Sequence, residues 1–267
     1  NRVLVCRMAS KVRMRESLIN EAIFRNKRYF DCELINAQDF QPGNSEIYIE
    51  GGDVLVARED ILIIGNGMRT SSQGIDMLVS RLSRSSGPEK RHIIVQQLPS
   101  SPESFIHLDM VFTMLDVDKA MVFEPLILNE NQYQTVHIIL EGGKVVKIKS
   151  VNNILSVLKK LGMDLEPVIC GGSADEWNQE REQWHSGANF FAFAPGKVMS
   201  YARNVHTLEE MYKSGFDIIT ARDVISGKKD LESYKRCVVT IDGSELPRGG
   251  GGARCMTMPL RRAPLGV

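Results

Sequence analysis

The sequence predicts an α/β fold made of repeated hairpin–helix–strand units, and two segments support this. "DVLVAREDILIIGNG" predicts two strands around a polar turn, and it is followed by the helical pattern "RTSSQGIDMLVSRLSRS" and the strand "RHIIVQQL". The same order recurs in "ANFFAFAPGKVMSYARN", "VHTLEEMYKSG" and "FDIIT". Apolar residues at a period of two indicate strands, whereas a period of 3.6 indicates helices. Repeats of this kind favour modules that bury their apolar faces against one another.

Each element of the first repeat has its own local signal. In the helix, Ser71 or Ser72 is the expected N-cap. The expected buried face of that helix comprises Ile75, Leu78, Val79 and Leu82. In the second repeat, "APGK" places Pro and Gly where a hairpin turn needs them, and Gly215 closes the helix.

Further segments extend the pattern. "QTVHIILEGGKVVKIKSV", "NNILSVLKKLG" and "EPVIC" predict a third copy, and "HLDMVFTMLDVDKAMVFEPL" predicts another hairpin that turns at "DVD". Near the start, "RVLVCRM", "RESLINEAIFRN" and "DCELIN" predict strand, helix and strand. The inward face expected for that helix consists of Leu18, Ile19, Ala22 and Ile23. Because this unit lacks one arm of its hairpin, the sequence either begins inside a repeat or is an ordinary α/β domain that starts with a strand.

Composition narrows the classes of partner. The 267 residues contain 33 basic and 33 acidic side chains, so nothing in the charge balance predicts binding to nucleic acid or to an anionic membrane. The longest apolar runs are too short to span a bilayer. The five cysteines show no metal-ligand spacing, which predicts free thiols in a reducing, cytoplasmic setting. Four of them are expected to be packing residues: Cys6, Cys32, Cys170 and Cys237.

Four short motifs contain residues that could do chemistry. "EGGD" places Glu50 at the expected start of a strand, and "HLDMVF" places His107 and Asp109 on one face of another. "NGMRT" places Arg69 just ahead of a helix. "RGGGGARCMTMP" is either a flexible tail or a loop that brings backbone and Cys255 close to a ligand. Each motif alone favours an ordinary structural role, but together they supply the groups of a thiol enzyme.

Two common enzyme classes lack their motifs. No G-x-S-x-G sequence is present, which disfavours a Ser-His-Asp hydrolase of that type. The glycine run is followed by "ARC" instead of Gly-Lys-Ser/Thr, and no G-x-G-x-x-G links a strand to a helix. The sequence therefore disfavours nucleotide binding.

In order along the chain, "IEGGDVLV", "GMRTS", "HLDMVFTMLD" and "GSELPRGGGGARCMTMP" resemble the motifs of bacterial-type arginine deiminases. The resemblance implies the pentein fold, a fivefold pseudo-symmetric α/β propeller of ββαβ modules. It implies that residues 1–267 form one catalytic domain that is incomplete at the N-terminus, with the first module and part of the second absent. The implied reaction is hydrolysis of L-arginine to L-citrulline and ammonia through a covalent cysteine thiouronium, without a metal or other cofactor.

The resemblance also implies a role for each matched residue. Cys255 is the nucleophile, and His107 protonates the departing ammonia and then activates water. Asp109 holds the guanidinium nitrogens, and Glu50 helps to bind and orient that group. The segment "KVRMRESLINEAIF" near the start, which contains Arg13, also resembles the family. The residues matched to the substrate carboxylate and the pocket are Arg13, Arg69, Arg248 and Gly249.

One departure from the family pattern affects the expected activity. The Phe-x-x-Arg-Asp motif that supplies a second guanidinium-binding aspartate is absent, so we expect the 267-residue chain to be weakly active or inactive. The alternatives are an amidinotransferase or methylarginine hydrolase of the same superfamily, and a non-catalytic binding module of the same fold. The sequence leaves a homo-oligomer open.

Overall fold

The computed structural model describes residues 2–36, 46–85, 89–249 and 251–260. Its strands are β1 (Arg2–Val5), β2 (Glu33–Asn36), β3 (Val54–Arg58), β4 (Ile61–Asn66), β5 (Lys90–Gln97), β6 (Phe112–Met114), β7 (Lys119–Val122), β8 (Thr135–Glu141), β9 (Lys144–Val151), β10 (Glu166–Ile169), β11 (Phe191–Ala194), β12 (Lys197–Tyr201), β13 (Asp217–Thr220) and β14 (Cys237–Ile241). Its α-helices are α1 (Met14–Phe24), α2 (Ser72–Ser83), α3 (Glu124–Ile127), α4 (Ile154–Lys160), α5 (Glu176–Trp184), α6 (Val205–Lys213) and α7 (Ala221–Ile225). Strands and helices are interspersed along the chain, so the predicted α/β class is confirmed.

The chain forms two compact units. The first unit contains Asn1–Leu108 and Gln132–Val157, and the second contains Asp109–Asn131 and Leu158–Val267. The chain therefore leaves the first unit after Leu108 and returns to it at Gln132.

The main sheet of the first unit has the strand order β3-β4-β5-β8-β9. β3 and β4 form the predicted antiparallel hairpin, and β5 joins β4 in parallel after α2. Ser71 is the N-cap of α2, because its Oγ accepts a hydrogen bond from Gly74 N at 3.0 Å. The predicted apolar face of α2 packs against the core: Ile75, Leu78 and Val79 are buried, and Leu82 lies at the margin. This repeat is confirmed element by element.

The prediction for α1 was correct in extent but wrong in orientation. Leu18, Ile19 and Ile23 are 56%, 60% and 43% exposed, whereas Ser17 and Phe24 are buried. The hydroxyl of Ser17 donates a 2.6 Å hydrogen bond to the carbonyl of Cys6, next to β1. In the described residues Ser17 and Phe24 are the side chains that anchor α1, and the predicted apolar face, including Ala22, is exposed.

The second unit contains the second predicted repeat, with one strand added. β11 and β12 form the hairpin, α6 ends before Gly215, and β13 follows. Gly215 has φ +89°, the left-handed conformation that closes a helix. The sheet order is β11-β12-β14-β13, because the later strand β14 inserts between β12 and β13 in parallel with both.

The third predicted copy exists as elements but not as one unit. β8 and β9 form the predicted hairpin, yet this hairpin extends the sheet of the first unit by pairing with β5. β10 instead pairs in parallel with β7, which forms the predicted hairpin with β6 in the second unit. The grouping of these elements into one copy was therefore wrong, because strand pairing is set by contacts distant in sequence.

Two of the four cysteines expected to be packing residues are completely buried. Cys170 belongs to the core of the second unit with Phe190 and Phe216, and Cys237 is buried in β14. Burial raises the pKa of Cys170 to about 12, which keeps this thiol protonated and inert. Cys6 and Cys32 are half-buried.

Candidate active site

Glu50 is the centre of a charged cluster in the first unit. The residue is 2% exposed, and its Oε2 lies 2.5 Å from Arg13 Nη1 and 3.1 Å from His107 Nε2. Its Oε1 accepts a hydrogen bond from Ala9 N at 3.2 Å and lies 3.5 Å from Arg69 Nη1. The structure thus brings together the four residues of the first unit that were selected from sequence.

The partners of Glu50 keep its carboxylate ionised. Burial acts to raise the pKa of this carboxyl, but the hydrogen bond to His107 and the positive charges of His107, Arg13 and Arg69 act more strongly in the opposite direction. The pKa of Glu50 therefore lies below its ordinary value. The contact between this carboxylate and Nε2 of His107 fixes the orientation of the imidazole ring.

The "EGGD" segment fixes the position of His107 in addition to supplying Glu50. A Cβ at Gly52 would lie 2.7 Å from ring atoms of His107, so only glycine allows the ring to occupy this place. Asp53 is completely buried, and its Oδ1 accepts a hydrogen bond from Leu108 N at 2.8 Å. The prediction that Glu50 begins a strand was wrong. Residues 51–53 form a short 3-10 helix, and β3 begins after them.

The strand predicted for "HLDMVF" was also wrong at its start. Leu108–Met110 form a short 3-10 helix, and β6 begins only at Phe112. The backbone N–H of Leu108 bonds to the side chain of Asp53, so it is not in a strand ladder. His107 therefore belongs to the first unit and Asp109 to the second, although one residue separates them in sequence.

Arg13 and Arg69 approach Glu50 from different elements. Arg13 ends the short 3-10 helix Lys11–Arg13, and its guanidinium also binds Glu16 through two hydrogen bonds of 2.8 and 2.9 Å. Arg69 lies just ahead of α2, as predicted. The two arginines thus have carboxylate partners within the chain.

Cys255 lies in a tight loop in the second unit, the cysteine loop, which we define as residues 251–255. Gly251 has φ +75°, and a Cβ there would lie 2.9 Å from Cys255 Cβ. A Cβ at Gly252 would lie 2.1 Å from Asn189 Oδ1. Tyr201 Oη donates a 2.7 Å hydrogen bond to Gly251 O. These two glycines are therefore required by close approach of backbone to side chains, which favours the loop over the flexible tail.

The thiol of Cys255 is protonated at neutral pH in this arrangement. The residue is exposed as a whole, but the protein atoms around the sulfur displace water and, with the nearby carboxylate of Asp109, raise the pKa of Cys255 to about 11. Hydrogen bonds from the Gly252 backbone and the Asn189 side chain, and the charge of Arg254, act in the opposite direction. A further positive charge is needed to make this sulfur a nucleophile near neutral pH.

Asp109 is 2% exposed and lies within the electrostatic range of Cys255. Its Oδ2 lies 3.5 Å from Nε of Arg254, the residue that precedes the cysteine. Its carbonyl accepts a hydrogen bond from Asn189 Nδ2 at 3.2 Å. The guanidinium of Arg254 thus pairs with the carboxylate of Asp109, which was predicted to bind the guanidinium of a substrate.

The structure gives Arg248 and Gly249 less defined positions in a site. The side chain of Arg248 is 73% exposed and pairs with Glu245 at 3.0 Å. Gly249 is exposed, and a Cβ there would contact nothing within 4 Å. Gly250, in the middle of the glycine run, lies outside the described residues.

Sequence reasoning missed several residues that hold these groups in place. They are Glu16, Asp53, Asn189, Tyr201 and Arg254. Only two of them had a visible signal, because Asp53 completes "EGGD" and Arg254 adjoins the cysteine. Asn189 and Tyr201 act on residues 50 to 80 positions away, so no local pattern marks them.

Two kinds of feature are absent from residues 2–36, 46–85, 89–249 and 251–260. In these ranges none of the helices has the length and apolar character needed to cross a bilayer. In the same ranges no three His, Cys, Asp or Glu side chains come together in a way that could hold a metal ion. The expectations that the protein uses no metal and no other cofactor, and binds neither nucleic acid nor membrane, stay predictions.

Comparison with known proteins establishes the family. The sequence profile of the family described as "Arginine deiminase" matches residues 1–262. The arginine deiminase of Mycoplasma capricolum subsp. capricolum is 34% identical over 260 residues, which are 97% of this chain and 58% of that protein. The arginine deiminase of Oenococcus oeni is 34% identical over 259 residues, which are 96% of this chain and 56% of that protein. The chain belongs to the arginine deiminase family, and it spans a little over half the length of these curated relatives.

Solved structures show a similar fold at low identity. An amidinotransferase of saxitoxin biosynthesis from Microseira wollei has a TM-score of 0.60 and 14% identity, covering 99% of this chain and 67% of that one. A dimethylarginine dimethylaminohydrolase adduct has a TM-score of 0.51 and 16% identity, covering 95% of this chain and 69% of that one. At such identities the likeness concerns the fold alone. It therefore does not separate a deiminase from the two enzymatic alternatives.

Proposed function

We propose that this chain acts in an arginine deiminase, which hydrolyses the guanidinium group of L-arginine to L-citrulline and ammonia. The observation that carries the proposal is the hydrogen bond between the buried Glu50 and His107 in a chain that matches this family from residue 1 to residue 262. This pair supplies an oriented acid–base group. Cys255 and the buried carboxylate of Asp109 supply the nucleophile and a guanidinium ligand.

The proposed reaction has two halves. The thiolate of Cys255 attacks the guanidinium carbon, and the carbon–nitrogen bond breaks as His107 protonates the departing ammonia. A covalent thiouronium remains on the sulfur. His107, now neutral, takes a proton from water, whose oxygen adds to the same carbon. The carbon–sulfur bond then breaks and the thiolate leaves, while the proton of the added hydroxyl passes through solvent to the released ammonia. One arginine cation and one water thus become one citrulline and one ammonium ion.

Substrate binding would also solve the problem of the protonated thiol. With a pKa of about 11, only roughly one thiol in ten thousand is ionised at pH 7. The substrate guanidinium neutralises Asp109, which otherwise raises the pKa of Cys255, and it adds a positive charge beside the sulfur. Both effects lower the pKa, so the thiolate forms where the electrophile is already bound.

The substrate guanidinium must replace Arg254 at Asp109. Both are the same planar cation, and Arg254 is attached to the loop that carries the nucleophile. The exchange keeps the buried carboxylate paired throughout. Arg254 is then free to turn toward solvent, because its side chain is already one-quarter exposed.

The remaining matched residues are proposed to bind the other end of the substrate. The planar guanidinium of an arginine binds a carboxylate through two parallel hydrogen bonds. Arg69 makes only a 3.5 Å contact with Glu50, and Arg248 is largely exposed, so both have donors to offer. Arg13 is already bound to two carboxylates, so it acts mainly by orienting Glu50. Gly249 is proposed as a backbone contact.

The proposed architecture is the fivefold pentein propeller, with residues 1–267 in one catalytic domain. The repeated hairpin, helix and strand order of the described residues supports it. Five free cysteines support a reducing, cytoplasmic setting.

The experiment is an assay for citrulline in two proteins. One is the 267-residue chain, expected to be weakly active or inactive, and the other is a chimera that adds the part of the Mycoplasma capricolum relative that this chain does not match. We expect the chimera to form citrulline and Cys255→Ala to abolish turnover while calorimetry still detects arginine binding. Turnover by the chimera that survives Cys255→Ala would overturn the proposed mechanism, and citrulline formation by the 267-residue chain at the chimera's rate would refute the expected weak activity.

A further inference from the structure

We propose that Asn189 is a positioning residue for the nucleophile, and that it holds the cysteine loop against the backbone of Asp109. Asn189 follows α5 in the second unit and is 1% exposed. Its Nδ2 donates to Asp109 O at 3.2 Å, and its Oδ1 accepts from Arg254 N at 3.0 Å. One buried amide therefore joins the guanidinium-binding segment to the residue before the cysteine. The inference rests on the proposed function only in taking Cys255 as the nucleophile.

The contact is sterically close on the loop side. A Cβ at Gly252 would lie 2.1 Å from Asn189 Oδ1 and 2.5 Å from its Cβ, so the loop backbone lies directly on the amide. The Asn189 side chain also acts to lower the pKa of Cys255, against the effects of burial and of Asp109. The amide thus acts on both the place and the ionisation of the sulfur.

An amide is the group that this position needs. The contact with Asp109 O requires a donor, and the contact with Arg254 N requires an acceptor. An aspartate has the same shape but offers acceptors only when ionised, and it would place a second negative charge beside the sulfur. An alanine offers neither group and leaves a buried carbonyl and a buried N–H without this partner.

Tyr201 provides the matched control. It is 1% exposed and also binds the cysteine loop, through its hydroxyl and Gly251 O. That bond does not involve Asp109 or the thiol. Burial and the nearby Cys255 raise the pKa of Tyr201, so its hydroxyl is neutral at neutral and mildly alkaline pH. In that range Tyr201→Phe removes one loop hydrogen bond, keeps the ring and changes no charge.

The test is the pH dependence of alkylation of Cys255 by neutral chloroacetamide in the 267-residue chain, read for each cysteine by peptide mass spectrometry. In the starting protein the rate should rise with pH toward about 11. We expect Asn189→Asp to shift this profile to higher pH by about one unit or more, which means about tenfold slower labelling at a fixed lower pH. Asn189→Ala should shift it in the same direction by less, and Tyr201→Phe should leave it in place.

The same samples report folding. Cys170 is fully buried, so its alkylation reveals an unfolded variant. The labelling profiles of Asn189→Ala and Asn189→Asp are used only at pH values where Cys170 stays unlabelled. Profiles of both folded variants that coincide with the starting protein, or that move to lower pH, would overturn the inference. Because the readout needs no turnover, a shifted profile without citrulline formation by the chimera rejects the proposed function and keeps the positioning role. Citrulline formation with unshifted profiles rejects the positioning role alone.

Discussion

The two units hold their candidate catalytic residues in different ways. In the first unit, charges converge on Glu50, a buried carboxylate with Arg13, Arg69 and His107 around it. In the second unit, neutral groups hold Cys255, because the side chains of Asn189 and Tyr201 bond to loop backbone. The acid–base group is thus fixed by electrostatics, and the nucleophile is fixed mainly by shape and neutral hydrogen bonds.

This difference predicts which kind of substitution should destabilise each unit most. A charged cluster responds to pH and to the loss of a charge, because its stability depends on which groups are ionised. A loop that lies directly on a buried amide responds to a single added methyl group, because the neighbouring atoms have no room to move.

Gly252→Ala should be the more damaging change. The added methyl carbon would lie 2.1 Å from Asn189 Oδ1, so the loop or the amide must move, and we expect unfolding to become easier by about 2–3 kcal/mol. Urea unfolding at pH 7 measures this. Gly249→Ala is the matched control, since its methyl group meets no atom within 4 Å, and its effect should stay within about 0.5 kcal/mol. Equal stabilities of the two variants would show that the loop is not tightly packed.

Glu50→Gln should have a smaller effect that depends on pH. It removes the charge that Arg13 and Arg69 face, but both cations are partly exposed, so we expect a loss of about 1–2 kcal/mol at pH 7. The pKa of Glu50 is lower in the folded protein than in the unfolded chain. Its stabilisation is therefore complete above the unfolded value of about 4.3 and is lost as the pH falls through the folded value.

Urea unfolding of the starting protein and of Glu50→Gln at pH 7 and near pH 3 checks this sign, because the difference between them should shrink at acid pH. Glu16→Gln is the control, since it also removes a partner of Arg13 but from an exposed position. Its effect should be about 0.5 kcal/mol or less. A stability gap for Glu50→Gln that is no larger than the control's, or that widens at acid pH, would contradict the electrostatic account.

Sequence reasoning succeeded where the structural signal is local. The hairpin β3–β4, the N-cap Ser71 and the closing glycine Gly215 depend on neighbours within a few residues, and all three are present. The motifs also identified residues that the first unit brings together around Glu50. These features follow from turn chemistry, capping and short motifs.

Sequence reasoning failed where the partner is far away in the chain. Apolar alternation suggested a strand at His107, but the N–H of Leu108 bonds to Asp53, 55 residues earlier. The pairing of β10 with β7 and the amide of Asn189 under the cysteine loop are likewise long-range contacts. The exposed apolar face of α1 shows the same limit. Helical periodicity predicts that an apolar face packs against another element, but it does not identify that element.

The most direct measurement compares two alkylating reagents of nearly equal size. Chloroacetamidine is a cation with the shape of a guanidinium end group, whereas chloroacetamide is neutral. If Asp109 holds a guanidinium beside the sulfur, the cation should alkylate Cys255 faster than the neutral reagent by about tenfold or more, after correction with a small reference thiol. This preference should disappear in Asp109→Asn and be absent at Cys32. An equal preference with and without the Asp109 carboxylate would contradict the account.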